Sequence, residues 1–307
     1  MTTATTSTEP PLAKRNKPWR ARLREPLSGL IFVLPMLVLF IIFRYIPTLG
    51  AGVMSFTNYR LQGNYKFIGL DNYERLLSDS VFLLSAQITL TYAIIYVPMV
   101  FIISMLTASL LNQLVWAQGF FRGMMFLPYV TSFVLAGIIW LWVYRSDGLI
   151  NGILTQLGGD VIPFLTGDRV MILSSLAVVS VWRGFGYSML ILLAGLKNIP
   201  SELVEAAKID GAGSVQRYFR ITLPLLRPVI FFVMVIETIA AFQVFDSVYV
   251  MTGGGPARAS NVLVYFLYDQ GFKFFDFGYA ATVGVALFLI VFVISLIQRA
   301  FLDKDVT

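Results

Sequence analysis

Long apolar runs alternate with short polar stretches along these 307 residues. Six runs approach the ~20 residues that a helix needs to cross a hydrocarbon core. They cover 28–43, 83–106, 124–144, 171–196, 228–250 and 279–297. Lipid offers the backbone no hydrogen bonds, so each run is predicted to be a helix that satisfies its own. The first run is the shortest and follows a basic tail. It has no small-x-small cleavage site, and Arg44-Tyr45-Ile46-Pro47 follows it, so it reads as a retained span rather than a removed leader. The expected fold class is therefore an all-α integral membrane protein with six transmembrane helices. A basic tail over 1–27, partly disordered in its Thr-rich start, precedes a membrane domain over 28–300. A short tail, 301–307, closes the chain. No internal repeat stands out, and the loops 50–82, 145–170 and 251–278 are too short for an independent catalytic domain.

Composition supports this reading. Hydrophobic residues make up 57% and charged residues 13%, with mean hydropathy +0.77. A soluble domain carries roughly a quarter charged residues, so this surface requires lipid. The net charge of +6 is better explained by topology than by nucleic acid, which is not an expected partner. Six Lys and Arg lie in the tail from Lys14 to Arg24, five in the loop 197–227, and Arg122, Arg299 and Lys304 share their side. Only seven lie on the other side. The positive-inside rule then puts both termini and the 197–227 loop in the cytoplasm. With no Cys and no His, disulfide scaffolds, thiol catalysis and the usual zinc sites are excluded, and no metal is expected.

The loop between the fourth and fifth runs is a polar island. Pro200-Ser201 opens it, with Ser201 the expected N-cap and Glu202 and Glu205 favouring a helix start. Leu203, Ala206, Ala207 and Asp210 share a face. Gly211 suits the left-handed residue that ends a helix. Ser214 is expected to cap a second short helix through Arg220, with Pro224 and Pro228 limiting its length. The two alanines allow another surface to approach closely.

Glu205-Ala206-Ala207, three residues, Gly211, nine residues and Ile221-Thr222-Leu223-Pro224 resembles the signature of permease subunits of binding-protein-dependent ABC importers. The surrounding segments resemble the carbohydrate-uptake branch, of the maltose and glycerol 3-phosphate type. They include Phe67-Ile68-Gly69-Leu70-Asp71-Asn72-Tyr73, Ala194-Gly195-Leu196, Thr252-Gly253-Gly254-Gly255-Pro256 and Gly278-Tyr279-Ala280-Ala281. The resemblance implies that the loop holds a coupling helix seated on a cytoplasmic ATPase, with Glu205, Ala206, Ala207, Asp210 and Gly211 as docking residues. It also implies a second permease subunit, two ATPase subunits, an external solute-binding protein, surrounding lipid and a sugar substrate. Gly253, Gly254, Gly255 and Pro256 are then expected to touch the binding protein. A phosphate-cradling Gly-x-x-x-x-Gly-Lys-Ser/Thr run is absent. No cofactor is therefore expected on this chain, and ATP and Mg belong to the partner ATPases. No catalytic residue is assigned.

Ionisable residues inside spans are costly and mark candidate sites. Arg183 lies in the fourth run, Glu237 and Asp246 in the fifth, with Gln87 and Gln243 as neutral additions. Arg183 and Glu237 are expected to meet as an ion pair, either fixing the helices or lining a polar path. By resemblance to the maltose permease, the path falls on Ser180, Arg183, Gly184, Tyr187, Glu237, Ala241 and Val244, joined here by Gln243. Arg183 and Glu237 replace uncharged residues of that permease, which argues against maltose itself. A lone arginine could serve a phosphate, but Glu237 nearby works against an anion, so a neutral saccharide or polyol is favoured. A phosphorylated polyol such as glycerol 3-phosphate is the alternative cargo. An ion-driven secondary transporter would show inverted repeats, and a membrane enzyme would need a clustered acid–base set. The sequence offers neither.

Overall fold

The computed structural model describes residues 31–61, 65–114 and 116–302. The whole basic tail 1–27, with its Thr-rich start, lies outside the described residues, as does the tail beyond Leu302. Six helical stretches are long and apolar enough to cross a membrane, by length and composition: Ile31–Met54, Ser80–Gln113, Phe133–Gln156, Arg169–Lys197, Arg227–Met251 and Phe277–Phe301. Among the described residues, β-structure is confined to two isolated bridges, Thr57 with Phe67 and Arg60 with Asp276.

The chain divides at Gly50 into two compact units. In the first, every described side chain from Ile31 to Gly50 is at least partly exposed and none is buried. The helix here is longer than the apolar run suggests and continues through Pro47 to Met54. A π-helical stretch, Ile41–Tyr45, precedes the proline, and such a bulge accommodates the backbone disturbance that proline brings.

The second unit is built around two long helices. The Ser80–Gln113 helix buries a stripe that includes Ile88, Tyr92, Tyr96, Val100, Met105 and Ala108. The Arg169–Lys197 helix buries Ile172, Leu176, Val179, Met189, Leu192 and Leu193. Together they carry most of two apolar clusters, one running from Ile88 to Tyr265 and one from Met105 to Val233. Asp79 caps the first of these helices, accepting from Val81 N at 2.8 Å and Phe82 N at 3.2 Å. Some hydroxyls inside the spans are satisfied by their own helix, as when Thr89 and Ser175 donate to carbonyls four residues back. Ser104 instead reaches across to the carbonyl of Phe185 at 3.0 Å and ties the two long helices together.

Small residues set the closest approaches. A Cβ on Gly186 would collide with the backbone carbonyl of Met125, so the helix Gln118–Val130 lies directly on the Arg169–Lys197 helix there. A Cβ on Gly195 would stand 2.7 Å from Leu226 and 2.9 Å from Val229. The adjoining ends of the fourth and fifth spans meet at this point.

Two predicted spans are broken. The run 124–144 is shared between helices Gln118–Val130 and Phe133–Tyr144, because Thr131 and Ser132 are both extended. The run 228–250 is shared between helices Arg227–Phe242 and Asp246–Met251, with Gln243 to Phe245 out of helix. Apolar periodicity cannot report such breaks, since lipid or protein surrounds the chain on either side of them.

Beyond the spans, the segment 55–79 is fastened to the start of the last helix. Asn72 donates to the carbonyls of Ser55 and Thr57, each at 2.9 Å. Asp276 is 8% exposed at its side chain and accepts from Arg60 at 3.2 Å and Arg75 at 3.0 Å. Tyr279 donates to Asp79 at 2.7 Å, and the Arg75 guanidinium lies 3.7 Å from the Tyr279 ring centre.

Candidate functional site

The break in the fifth span and the glycines of the fourth create the site. In Trp182-Arg183-Gly184-Phe185-Gly186-Tyr187, Gly186 admits the backbone of the Gln118–Val130 helix. Gly184 leaves space for Tyr96, whose hydroxyl would sit 3.1 Å from a Cβ there. Tyr92 and Tyr96, one helical turn apart, stack at 5.6 Å and 8°. Tyr129 stacks on Tyr187 at 5.0 Å and 13°. Between these walls lies a cavity of about 250 Å³ in the middle of the spans.

Seven of the eight expected path residues line this cavity: Ser180, Arg183, Gly184, Tyr187, Glu237, Gln243 and Val244. Ala241 does not; it is 1% exposed and packs into the larger apolar cluster. Val244 reaches the cavity from the non-helical break rather than from a helix face shared with Glu237 and Ala241. Gln87 is exposed elsewhere. The sequence reading missed Tyr92, Tyr96, Tyr129 and Phe133, which complete the aromatic wall. The Tyr92–Tyr96 spacing on one helix face was the available signal.

The expected ion pair is not formed. Glu237 is 4% exposed, and both its oxygens accept from hydroxyls. Tyr96 donates to Oε2 at 2.7 Å, and Ser188 donates to Oε1. Two O–H donors solvate the carboxylate as water would, without a cation. Arg183 lies instead over the rings of Tyr129 at 5.5 Å and Phe133 at 5.2 Å. Its Nε is buried and has no acceptor. Asp246 also lines the cavity, is exposed, and heads the helix Asp246–Met251. The arrangement offers hydroxyls, an amide, aromatic faces and one unpaired guanidinium to a guest about the size of a sugar ring or two.

The 197–227 loop folds as the helix Ser201–Ile209, a turn, and a second helical stretch from Ser214 to Leu225 with a π-helical middle. Both expected caps are displaced by one residue. Pro200 and Gly213 occupy the cap positions, and neither Ser201 nor Ser214 caps through its side chain. Gly211 has φ +78°, and Ala212 N bonds to Ala207 O at 2.9 Å while Gly211 N bonds to Lys208 O at 3.1 Å. That is the left-handed helix stop the sequence predicts. The Arg217 guanidinium donates to Ala212 O and braces the turn. Glu205, Ala206, Asp210 and Gly211 are exposed, and Ala207 is half-buried. Tyr218 bonds Ser109 at 3.1 Å, and Lys197 bonds Gln118 at 2.6 Å, tying the loop to neighbouring helices.

Thr252-Gly253-Gly254-Gly255-Pro256 forms a packed turn. Gly253 and Pro256 are exposed, but Gly254 is buried, where a Cβ would come within 2.6 Å of the Tyr265 ring. Ser260 ties the turn by donating to Thr252 Oγ1 and Gly255 O, each at 2.8 Å. Of the expected contact residues, Gly253 and Pro256 therefore present the most surface.

Among the described residues, no group of three or more acidic, His or Cys side chains is arranged to hold a metal ion. A family model described as "Binding-protein-dependent transport system inner membrane component" matches residues 89–306. The arabinooligosaccharides transport system permease protein AraP of Halalkalibacterium halodurans is 38% identical over 276 residues, covering 87% of this chain and 85% of that protein. The sn-glycerol-3-phosphate transport system permease protein UgpA of Agrobacterium fabrum is 34% identical over 281 residues, covering 90% and 94%. A chain in the crystal structure of a bacterial alginate ABC transporter, in complex with an alginate pentasaccharide-bound periplasmic protein, shares the fold. Its TM-score is 0.79 at 24% identity, covering 92% of this chain and 96% of that one. The chain thus belongs to the family of binding-protein-dependent transport system inner membrane components, as a multi-pass permease.

Proposed function

We propose that this permease is one membrane subunit of an ABC importer that brings a carbohydrate into the cell. The observation that carries the reading is the convergence of seven expected path residues on one mid-span cavity. Hydroxyls, Gln243 and stacked tyrosines suit a saccharide, whose hydroxyls need hydrogen-bond partners and whose ring faces suit aromatics. The relatives named for arabinooligosaccharides and sn-glycerol 3-phosphate support the same class.

In this reading an external solute-binding protein delivers the sugar near Gly253 and Pro256. Two cytoplasmic ATPase subunits supply the energy, and a second permease subunit completes the membrane portion. The helix Ser201–Ile209 docks on one ATPase through Glu205, Ala206, Ala207, Asp210 and Gly211. Closure of the ATPases pushes this helix, and the tight joint at Gly195, Leu226 and Val229 passes the movement to the fourth and fifth spans that form the cavity. This chain makes and breaks no covalent bond; ATP and Mg act in the partners. The loop lies on the cytoplasmic side, as the basic residues indicate.

The test is reconstitution of the whole complex with its binding protein, followed by a saccharide screen for stimulated ATP hydrolysis. At least one saccharide should stimulate. Scrambling residues 205–211 should then abolish import while the cavity variants alter only the apparent sugar affinity. Import that survives the scramble, or a complex to which every saccharide is indifferent, overturns the reading.

A further inference from the structure

Among the described residues, Arg183 is the one basic side chain lining the mid-span cavity. A charged side chain within a span is costly unless something receives it. Glu237 does not: no salt bridge joins it to Arg183 among the described residues, and its oxygens accept from Tyr96 and Ser188 instead. Asp246 does not, since no salt bridge joins the two among the described residues. The rings of Tyr129 and Phe133 offer the guanidinium their faces, which is a weaker partner than an oxyanion. Its buried Nε has no acceptor at all. Ser180 and Tyr187, three residues before and four after, place hydroxyls on the same helix face.

We infer that Arg183 receives an anionic oxygen group of the cargo, so that the cavity selects saccharides bearing a carboxylate or a phosphate. The inference rests on the carbohydrate reading above and narrows it. It reverses the expectation of a neutral cargo, which rested on Glu237 working against an anion. The planar guanidinium fork matches a carboxylate or phosphate, and its stacking on aromatic faces leaves the N–H edges free to donate. Two carboxylates face the cavity as well. Glu237 is 4% exposed and already accepts from two hydroxyls, whereas Asp246 stands exposed and repels an anionic guest.

The reconstituted complex separates these statements. Four mixtures are compared as stimulants of ATP hydrolysis: hydrolysed uronate polysaccharides, the same hydrolysate after carboxyl reduction, sugar phosphates, and neutral oligosaccharides. One of the two anionic mixtures should stimulate best. Carboxyl reduction silences the first, and phosphatase treatment the second, which tells carboxylate from phosphate. Arg183→Gln should raise the half-stimulating concentration of the anionic mixture by about tenfold or more, the loss of a charge-assisted bidentate contact. Arg183→Lys should restore part of it, keeping charge but losing the fork. Asp246→Asn should shift it the opposite way. A wild-type preference for neutral sugar overturns the inference, and so does an equal effect of Arg183→Gln on neutral and anionic mixtures. If Arg183→Gln fails to assemble, an Asp246→Asn complex that binds the anionic mixture no tighter overturns it. Silence toward all four mixtures instead overturns the carbohydrate reading beneath it.

Discussion

Asp276 and Glu237 are both buried carboxylates, yet their surroundings solve the same problem differently. Asp276 sits just before the last span, where the chain enters the apolar region, and takes two arginines whose side chains are 64% and 46% exposed. Glu237 sits in mid-span and takes two hydroxyls. An ion pair at the edge costs little desolvation, because its cations keep most of their water. An ion pair at the centre would strip both partners and would lock the cavity shut. Hydroxyls satisfy a central carboxylate without spending the cation, and Arg183 stays available. The contrast teaches that charge pairing here fastens the segment beyond the spans, and that hydroxyl solvation satisfies the carboxylate at their centre.

Five substitutions break or sharpen this contrast. The largest effect is expected from Glu237→Ala, which strands two buried hydroxyls and enlarges the cavity, at about 3 kcal/mol; thermal unfolding of the detergent-solubilised chain reads it. Asp276→Ala should cost about 2 kcal/mol, less than a fully buried pair because both arginines rehydrate. Its penalty should shrink in about tenfold more salt, while that of Glu237→Ala should not. Equal salt sensitivity of the two would erase the distinction. Tyr96→Phe removes one charge-assisted bond at about 1.5 kcal/mol, and its combination with Ser188→Ala should deviate from additivity, since both bonds end on one carboxylate. Arg60→Ala should be nearly silent, below about 0.5 kcal/mol, because Arg75 remains on Asp276 and Arg60 is mostly exposed. A large Arg60 effect would mean that the outer cluster acts as one unit.

Local chemistry made some features legible in the sequence. Gly211 announces a helix stop because few other residues accept its φ, and the stop is found there. Long apolar runs announce spans because the hydrocarbon thickness fixes their length. Features set by distant residues were not legible. The N-terminus of the short helix Leu263–Tyr268 is satisfied by Thr89, which accepts from Leu263 N at 2.8 Å across 174 positions of sequence. No local cap motif marks it. Likewise Glu237 invited pairing with the nearest opposite charge, but Ser188 and Tyr96 are invisible as its partners until the second and fourth spans are placed together. The path residues were found because their positions carried a family resemblance; the tyrosines opposite them came from a helix to which that resemblance assigned nothing.

The interruption at Gln243 to Phe245 has a consequence for how a lineage of such proteins can change its diet. Where a helix ends, the carbonyls of its last turn lose their regular partners; here Gln243 N takes Ile239 O and Val244 N takes Ala241 O, and this end opens beside the cavity. Main-chain oxygens are indifferent to mutation. Affinity for hydroxyl-rich guests in general can therefore be inherited with the backbone, leaving a handful of side chains to decide which guest is admitted.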